Sequence, residues 1–285
     1  MLDFVYYPVS GVLWLWHTGF AAVLGAGGSL AWVAAIVLLV VTVRALLVRP
    51  FLAQVKFSRT MAILQPEVRK LQAKYADDRE KLVAETRRLQ EQHNFSLLRG
   101  CLPMAGQLLL FLGLYHVLRS FDRTGPVSHV PLVGNSTSMT AAENASTANY
   151  LFSPDQVQSF LNAKLLDAPL SATLATSGGS MTAVLTVVIP LVLIAGLATH
   201  FTARSAITRQ LETTPQTRMI NWLSLWIFPL GAAVAGVLMP VGILVYFATS
   251  NTWTFVQQHL VHKRLGPMPV PGQPDAQDSA KSTPE

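Results

Sequence analysis

Apolar residues gather along this chain into five long runs, and the polar stretches between them differ in character. The first run, residues 29–49, opens SLAWVAAIVLLVVTVRALLV and is long enough to cross a ~30 Å hydrocarbon core as one helix rising 1.5 Å per residue. Runs 101–118, 181–200, 220–239 and 241–260 each approach the same length. The pattern predicts an all-α polytopic membrane protein with five transmembrane helices. Ahead of them, residues 1–28 carry Tyr6, Tyr7, Trp14, Trp16 and Phe20 with no Lys or Arg. That lacks the basic start of a signal peptide and suits an interfacial N-terminal helix, since amphipathic rings concentrate at the headgroup layer. Its last residues, Gly25 to Gly28, follow no strand, so they read as a hinge rather than a dinucleotide loop.

The polar stretch 50–99 mixes Arg59, Arg69, Lys70, Lys74, Arg87 and Arg88 with Glu67, Asp77, Asp78, Glu80 and Glu85. Apolar residues recur at Ile63, Leu64, Val68, Leu71 and Tyr75, then at Leu82, Val83 and Leu89. Each half thus has one narrow stripe, as two helices folded back into an antiparallel hairpin require. Asp77, with Glu80 three residues on, fits a capping box for the second arm, and Pro66 predicts a kink or restart in the first. Such a hairpin is either a solvated spacer or a basic docking element. Residues 119–180 are rich in Ser, Thr, Asn and Ala, and Ser153-Pro154 with Gln156 signal a short amphipathic helix showing Val157, Phe160 and Leu161 on one face. The loop 201–218 holds Arg204, Arg209 and Arg218 against Glu212, and the tail 266–285 has the Pro-, Gly- and Ser-rich composition of disorder.

With 51% hydrophobic and 13% charged residues, the chain is not a soluble globular domain. Its formal charge of +6 is spread unevenly. The hairpin, the 201–218 loop and Lys263-Arg264 are basic, while the N-terminus and the 119–180 loop are not. The asymmetry predicts an external N-terminus and a cytoplasmic C-terminus. A single cysteine, Cys101, excludes an intramolecular disulfide framework. There is no Walker loop, no H-E-x-x-H, no metal-ligand spacing and no nucleophile with a base beside it, so neither an enzyme doing covalent chemistry nor a cofactor is expected. No Asp or Glu lies inside any of the five runs, which removes an intramembrane carboxylate relay.

The anomaly is Arg44. If the first span ends near Pro50, this cation lies roughly 7 to 8 Å inside it. A centred Arg costs about 2.5 to 3.5 kcal/mol on insertion scales, so the side chain either snorkels to the near interface or sits in a polar cavity. The topology puts Gln107 and, in the last span, Ser250 and Asn251 in the same cytoplasmic half. Polar residues of this kind usually serve as interhelical glue. Three helices supplying them around a cation at one depth suggest instead a water-filled pocket open to the cytoplasm.

The order of these features resembles a known family. A span with one Arg (Thr42-Val43-Arg44) precedes a basic hairpin; Gly100-Cys101-Leu102-Pro103 and Gln107 open the next span, continuing to Phe111–Tyr115; and Pro240-Val241-Gly242 leads through Tyr246 to Ser250-Asn251. Together, over roughly residues 20–264, they resemble the YidC/Oxa/Alb group of membrane protein insertases, in the short form without a leading extra span and external domain. The chain departs from the family's pattern at Phe95-Ser96, Leu108-Leu109 and Phe247. The resemblance implies an ATP-independent insertase and chaperone with a hydrophilic groove open to cytoplasm and lipid, formed by Arg44, Gln107, Tyr246, Ser250 and Asn251. It implies nascent membrane proteins, membrane lipid, the ribosome and the Sec translocon (SecYEG with SecDF) as partners, and no sequence-specific nucleic acid. The competing readings are a solute channel or transporter using Arg44 as an anion site, and a scaffold that merely gathers Sec components. The resemblance also implies a bacterial plasma membrane, where two N-x-S/T matches, at Asn135 and Asn144, carry no weight.

Overall fold

The computed structural model describes residues 2–25, 28–92, 97–124, 138–210 and 215–266, and they are mostly helical. The predicted disordered tail, the side chains of Gly100 to Pro103, Asn135 and Glu212 lie outside the described residues. Helix α1 (Asp3–Leu24) turns at Gly25, whose φ of 91° favours glycine, into α2 (Ser29–Leu46). The chain breaks helix at Leu47 and resumes as α3 (Val48–Lys74). Pro50 therefore falls in the first turn of α3, where no intrahelical N–H is needed, rather than ending the preceding helix. Pro66, expected to kink or restart the arm, is carried inside α3.

Helix α4 (Arg79–Gln92) follows, and its cap corrects the sequence expectation: Asp78, not Asp77, accepts from the Lys81 backbone N–H at 3.0 Å. The Asp78 carboxylate also pairs with Lys81 Nζ at 2.9 Å, which together hold its pKa below the usual carboxylate value. α3 and α4 share a cleft lined by Leu71 and Leu89 among Glu67, Lys74, Glu85 and Arg88. Helix α5 (Leu97–Arg119) then packs on α1 and on α3.

Residues 138–180 form a small folded unit. It holds α6 (Ala141–Ser146), α7 (Pro154–Asn162), and a two-stranded antiparallel ribbon of β1 (Lys164–Leu165) with β2 (Ala168–Pro169). The predicted signal at Ser153 forms a full capping box with Gln156, and Val157 and Phe160 are buried. They meet Phe121 and Phe152 around Trp32 of α2, with Trp32 ring centroids 5.1 Å from Phe160 and 5.5 Å from Phe121 and Phe152. All four rings are fully buried, so one end of the helix bundle is closed by aromatic packing. Asn144 is buried too, donating to the Phe121 carbonyl at 3.0 Å.

Three long helices complete the bundle: α8 (Met181–Ile207), a helix running as α9 (Pro215–Trp222), a π-helical turn (Leu223–Ile227) and α10 (Phe228–Leu238), and α11 (Val241–Leu265). α11 is the central one, packed on α8, α2, α5 and α10. Among the described residues, segments Ser29–Leu46, Gly178–Ile207 and Thr217–Leu238 are long and apolar enough to cross a membrane, and Ala105–Arg119 is a shorter apolar stretch. Large apolar side chains along α8 and α10, such as Leu193, Leu197, Leu230 and Leu238, face outward, as lipid contact demands. Close packing is arranged by glycine: a Cβ at Gly113 of α5 would lie 2.7 Å from Val5 of α1, and one at Gly236 of α10 would collide with Val192 of α8.

Candidate functional site

α11 begins at Pro240, and the first N–H groups of a helix have no intrahelical acceptor. Here the folded segment supplies them: Val241 N–H donates to Ala172 O (3.0 Å) and Gly242 N–H to Leu170 O (2.9 Å). Gly242 lies against that same Leu170 carbonyl, where an added Cβ would sit at 3.4 Å. The P-x-G motif thus fixes the height of α11, and with it the depth of Tyr246 and Ser250 one and two turns further on.

Those two residues lie four apart on one helical face, and both are buried. Arg44 of α2 reaches across, its Nη2 donating to Ser250 Oγ at 2.7 Å and more weakly to the Ser250 carbonyl at 3.4 Å. Thr254 Oγ1 donates to that same carbonyl at 2.9 Å. On the other side, Gln107 Nε2 of α5 donates to Tyr246 Oη at 3.2 Å. The Tyr246 and Ser250 side chains are hydrogen-bonded to each other, so four of the five expected groove residues form one polar chain across α2, α11 and α5. Asn251 is turned elsewhere: its Nδ2 donates to Phe247 O (2.7 Å) and its Oδ1 accepts from Thr199 of α8 (3.1 Å), joining α11 to α8.

The Arg44 Nε is buried with no hydrogen-bond partner, although Nη2 is engaged. No described side chain offers a carboxylate to this guanidinium, and the sequence places none in the five apolar runs. A fork held on one corner by a neutral hydroxyl, with its Nε edge unpaired, is suited to accept an anion. No cluster of His, Cys, Asp or Glu able to hold a metal occurs among the described residues.

Several contacts were not anticipated from sequence. Trp16, expected at the headgroup layer, sends its Nε1–H to Thr42 Oγ1 at 3.0 Å, two residues before Arg44. His17 stacks on Trp32 with centroids 3.7 Å apart. His200 of α8 bonds the Leu225 carbonyl of the π-helical turn at 3.1 Å. Four residues later comes Pro229, which has no N–H to give that carbonyl, so the neighbouring helix supplies the donor. The Pro was visible; which helix would lie beside it was not.

Comparison with known proteins bears on what this arrangement is for. The sequence model of the family described as 60Kd inner membrane protein matches residues 24–267. A protein named membrane protein insertase YidC from Mycobacterium tuberculosis (strain ATCC 25618 / H37Rv) is 43% identical over 270 residues, covering 91% of this chain and 72% of the relative. The protein of the same name from Mycobacterium leprae (strain TN) is 43% identical over 274 residues, covering 93% and 70%. More distantly, the inner membrane protein ALBINO3, chloroplastic, of Arabidopsis thaliana is 28% identical over 243 residues, covering 82% of this chain and 47% of the relative.

Proposed function

Given that the chain belongs to the 60Kd inner membrane protein family, the YidC/Oxa/Alb group, we propose that it inserts newly made proteins into the bacterial membrane through a polar groove centred on Arg44. In this reading α2, α5, α8, α9–α10 and α11 are the five spans. The N-terminus is external, the segment 138–180 seals the outer end, and α3 with α4 forms the cytoplasmic hairpin. The aromatic packing around Trp32 supports a groove open on one side over a solute channel, which needs a continuous path.

The observation that carries the proposal is the half-satisfied guanidinium: Arg44 bonded to Ser250, its Nε buried and unpaired, with no acid in the spans. A substrate acidic tail supplies the missing partner. Bringing an Asp to mid-membrane costs about 2.5 to 3.5 kcal/mol. A carboxylate ~4 Å from Arg44 at an effective dielectric near 20 recovers up to about 4 kcal/mol before desolvation is subtracted. The two nearly cancel, so the tail enters without ATP and is held weakly enough to leave. With the interior negative, outward transfer of each negative charge then gains about 2.3 kcal/mol per 100 mV, and burial of the substrate's apolar span completes the step. The α3–α4 hairpin receives substrates, or contacts the ribosome and the Sec translocon.

The test is insertion of a small single-span protein with an acidic external tail into liposomes containing only this chain. Arg44→Ala should cut insertion of that substrate, and Arg44→Lys should retain most of it. Equal insertion by all three proteins would refute the electrostatic step. Solute leak with no insertion would refute the groove in favour of a channel.

A further inference from the structure

At the opposite end of α11 from its docked N-terminus, the last carbonyls lack intrahelical donors and carry the negative end of the helix dipole. Arg59 of α3 meets them, Nη1 donating to Leu265 O at 2.8 Å and Nη2 to Gly266 O at 2.7 Å. Both terminal nitrogens are thereby used, yet Nε is buried without a partner. Close by stands Arg209, just beyond the end of α8, with its Nη1 also buried and unpartnered. His262, on the last turn of α11, lies within repulsive range of both arginines, its Nδ1 bonded to Gln258 O at 2.7 Å.

Nothing in the described surroundings balances this charge. The described ion pairs, Lys81–Asp78 and Arg87–Glu91, belong to the turn before α4 and to α4 itself. The next acid along α3, Glu67, faces the α3–α4 cleft, and neither α8 nor α11 contains an Asp or Glu. Burial and Arg209 together push the Arg59 guanidinium below its usual pKa, and burial lowers that of His262 against the opposing hydrogen bond to Gln258 O, with Arg209 and Arg59 adding to the lowering. Two guanidinium groups and an imidazole brought together with idle N–H donors form an arrangement that repels itself unless an anion bridges it. Arginine forks match the geometry of phosphate oxygens, and each such bond is charge-assisted.

We propose that Arg59, Arg209 and His262 form a phosphate-binding site at the basic end of the bundle, distinct from the Arg44 groove. The Nε of Arg59 and the Nη1 of Arg209 donate to the phosphate oxygens. The phosphate belongs either to an anionic lipid headgroup or to a free phosphate, and the site ties α3, α8 and α11 together when filled. It does not depend on the insertase reading, since it would bind in a channel or scaffold as well.

The experiment uses the full chain in detergent micelles, with native mass spectrometry and thermal unfolding read against added phosphatidylglycerol, phosphatidylcholine or inorganic phosphate. Arg209→Gln is the test variant, because Arg59 also caps α11; Arg204→Gln, an exposed cation on the last turn of α8, is the charge-matched control. The native chain and Arg204→Gln should prefer phosphatidylglycerol over phosphatidylcholine and be stabilised by it. Arg209→Gln should bind about tenfold more weakly, as loss of one charge-assisted bond implies. Phosphatidylglycerol binding that inorganic phosphate does not displace assigns the site to a lipid; stabilisation by inorganic phosphate that needs Arg209 assigns it to the free ion. Without phosphate, Arg209→Gln should unfold no earlier than the native chain, because it removes a repulsion. Equal anion response by both variants overturns the proposal, as does earlier unfolding of Arg209→Gln in phosphatidylcholine alone. So does Glu212→Gln creating phosphate binding that the native chain lacks, which would make Glu212 the counter-ion.

Discussion

Replacing His200 with phenylalanine keeps a ring against Phe201 and Trp226, with centroids 5.7 and 5.9 Å away, and removes only the donor to Leu225 O. The α-helical donor to that carbonyl would be residue 229, a proline without an N–H, and the Phe228 N–H is already committed to Leu223 O. Interhelical hydrogen bonds in membranes are worth about 0.6 kcal/mol on average and ~1–2 kcal/mol in favourable cases. A carbonyl that has lost its usual i+4 donor belongs at the upper end, so His200→Phe should cost about 1–2 kcal/mol. The informative comparison is a double-mutant cycle with Pro229→Ala, which returns a backbone N–H within reach of the same carbonyl. In that background His200→Phe should cost close to nothing, leaving a coupling of about 1 kcal/mol. Reversible unfolding in mixed micelles measures all four proteins. Costs equal in the two backgrounds within the ~0.3–0.5 kcal/mol expected of independent sites would show that His200 does not stand in for the missing N–H.

Two further outcomes follow from the structure. Gly113→Val places side-chain atoms where Val5 and Val9 of α1 now sit, so α1 should separate from α5; a cysteine pair at the α1–α5 contact should lose its crosslink, and an unchanged yield would refute the close-packing role. Tyr150, in the segment after α6, has its phenol pushed up to about 12 by burial and by Tyr6, Asp3 and Tyr7, against the opposing pull of Arg123. Because the folded value is raised, its contribution to stability is intact below pH ~10 and is lost as pH rises towards 12; Tyr150→Phe should remove a late-titrating phenol from the ultraviolet titration, and an unaltered curve above pH 11 would contradict this.

What could be read from the sequence divides by range. Helical period alone puts Tyr246 and Ser250 on one face, and a lone cation in an apolar run marks Arg44, so the centre of the site was legible before any contact was known. Asn251, one residue further, is rotated by about 100° and so joins α8 instead, a distinction that motif adjacency hides. Local chemistry was equally legible at Ser153-Pro154 with Gln156, where donor and acceptor lie within one turn. It failed by one position at Asp77, because adjacent aspartates offer the same cap and only the backbone decides between them. Contacts between distant segments were not legible at all. The 119–180 stretch has the composition of a loop, and the packing of its described part depends on Phe121, Phe152 and Phe160 finding Trp32, a partner in α2 that no local pattern announces.

α11 joins these observations because it is pinned at both ends by different parts of the chain. Its first N–H groups are held by carbonyls 170 and 172 of the 138–180 segment, and its last carbonyls by Arg59 of α3. A helix fixed at both termini cannot easily slide or turn, so Ser250 is a rigid mount for the Arg44 guanidinium, and Tyr246 is one for Gln107. In the proposed groove, rigidity at that point matters, since a cation free to snorkel would meet the interface rather than a substrate carboxylate. α9–α10, by contrast, leans chiefly on α8 through the Gly236 contact and the His200 bond, and contributes nothing to the polar chain. The bundle thus divides into a fixed side that carries the charge and a peripheral helix pair whose attachment is the easier to loosen. A substrate span entering laterally would therefore displace α9–α10 before it disturbed Arg44.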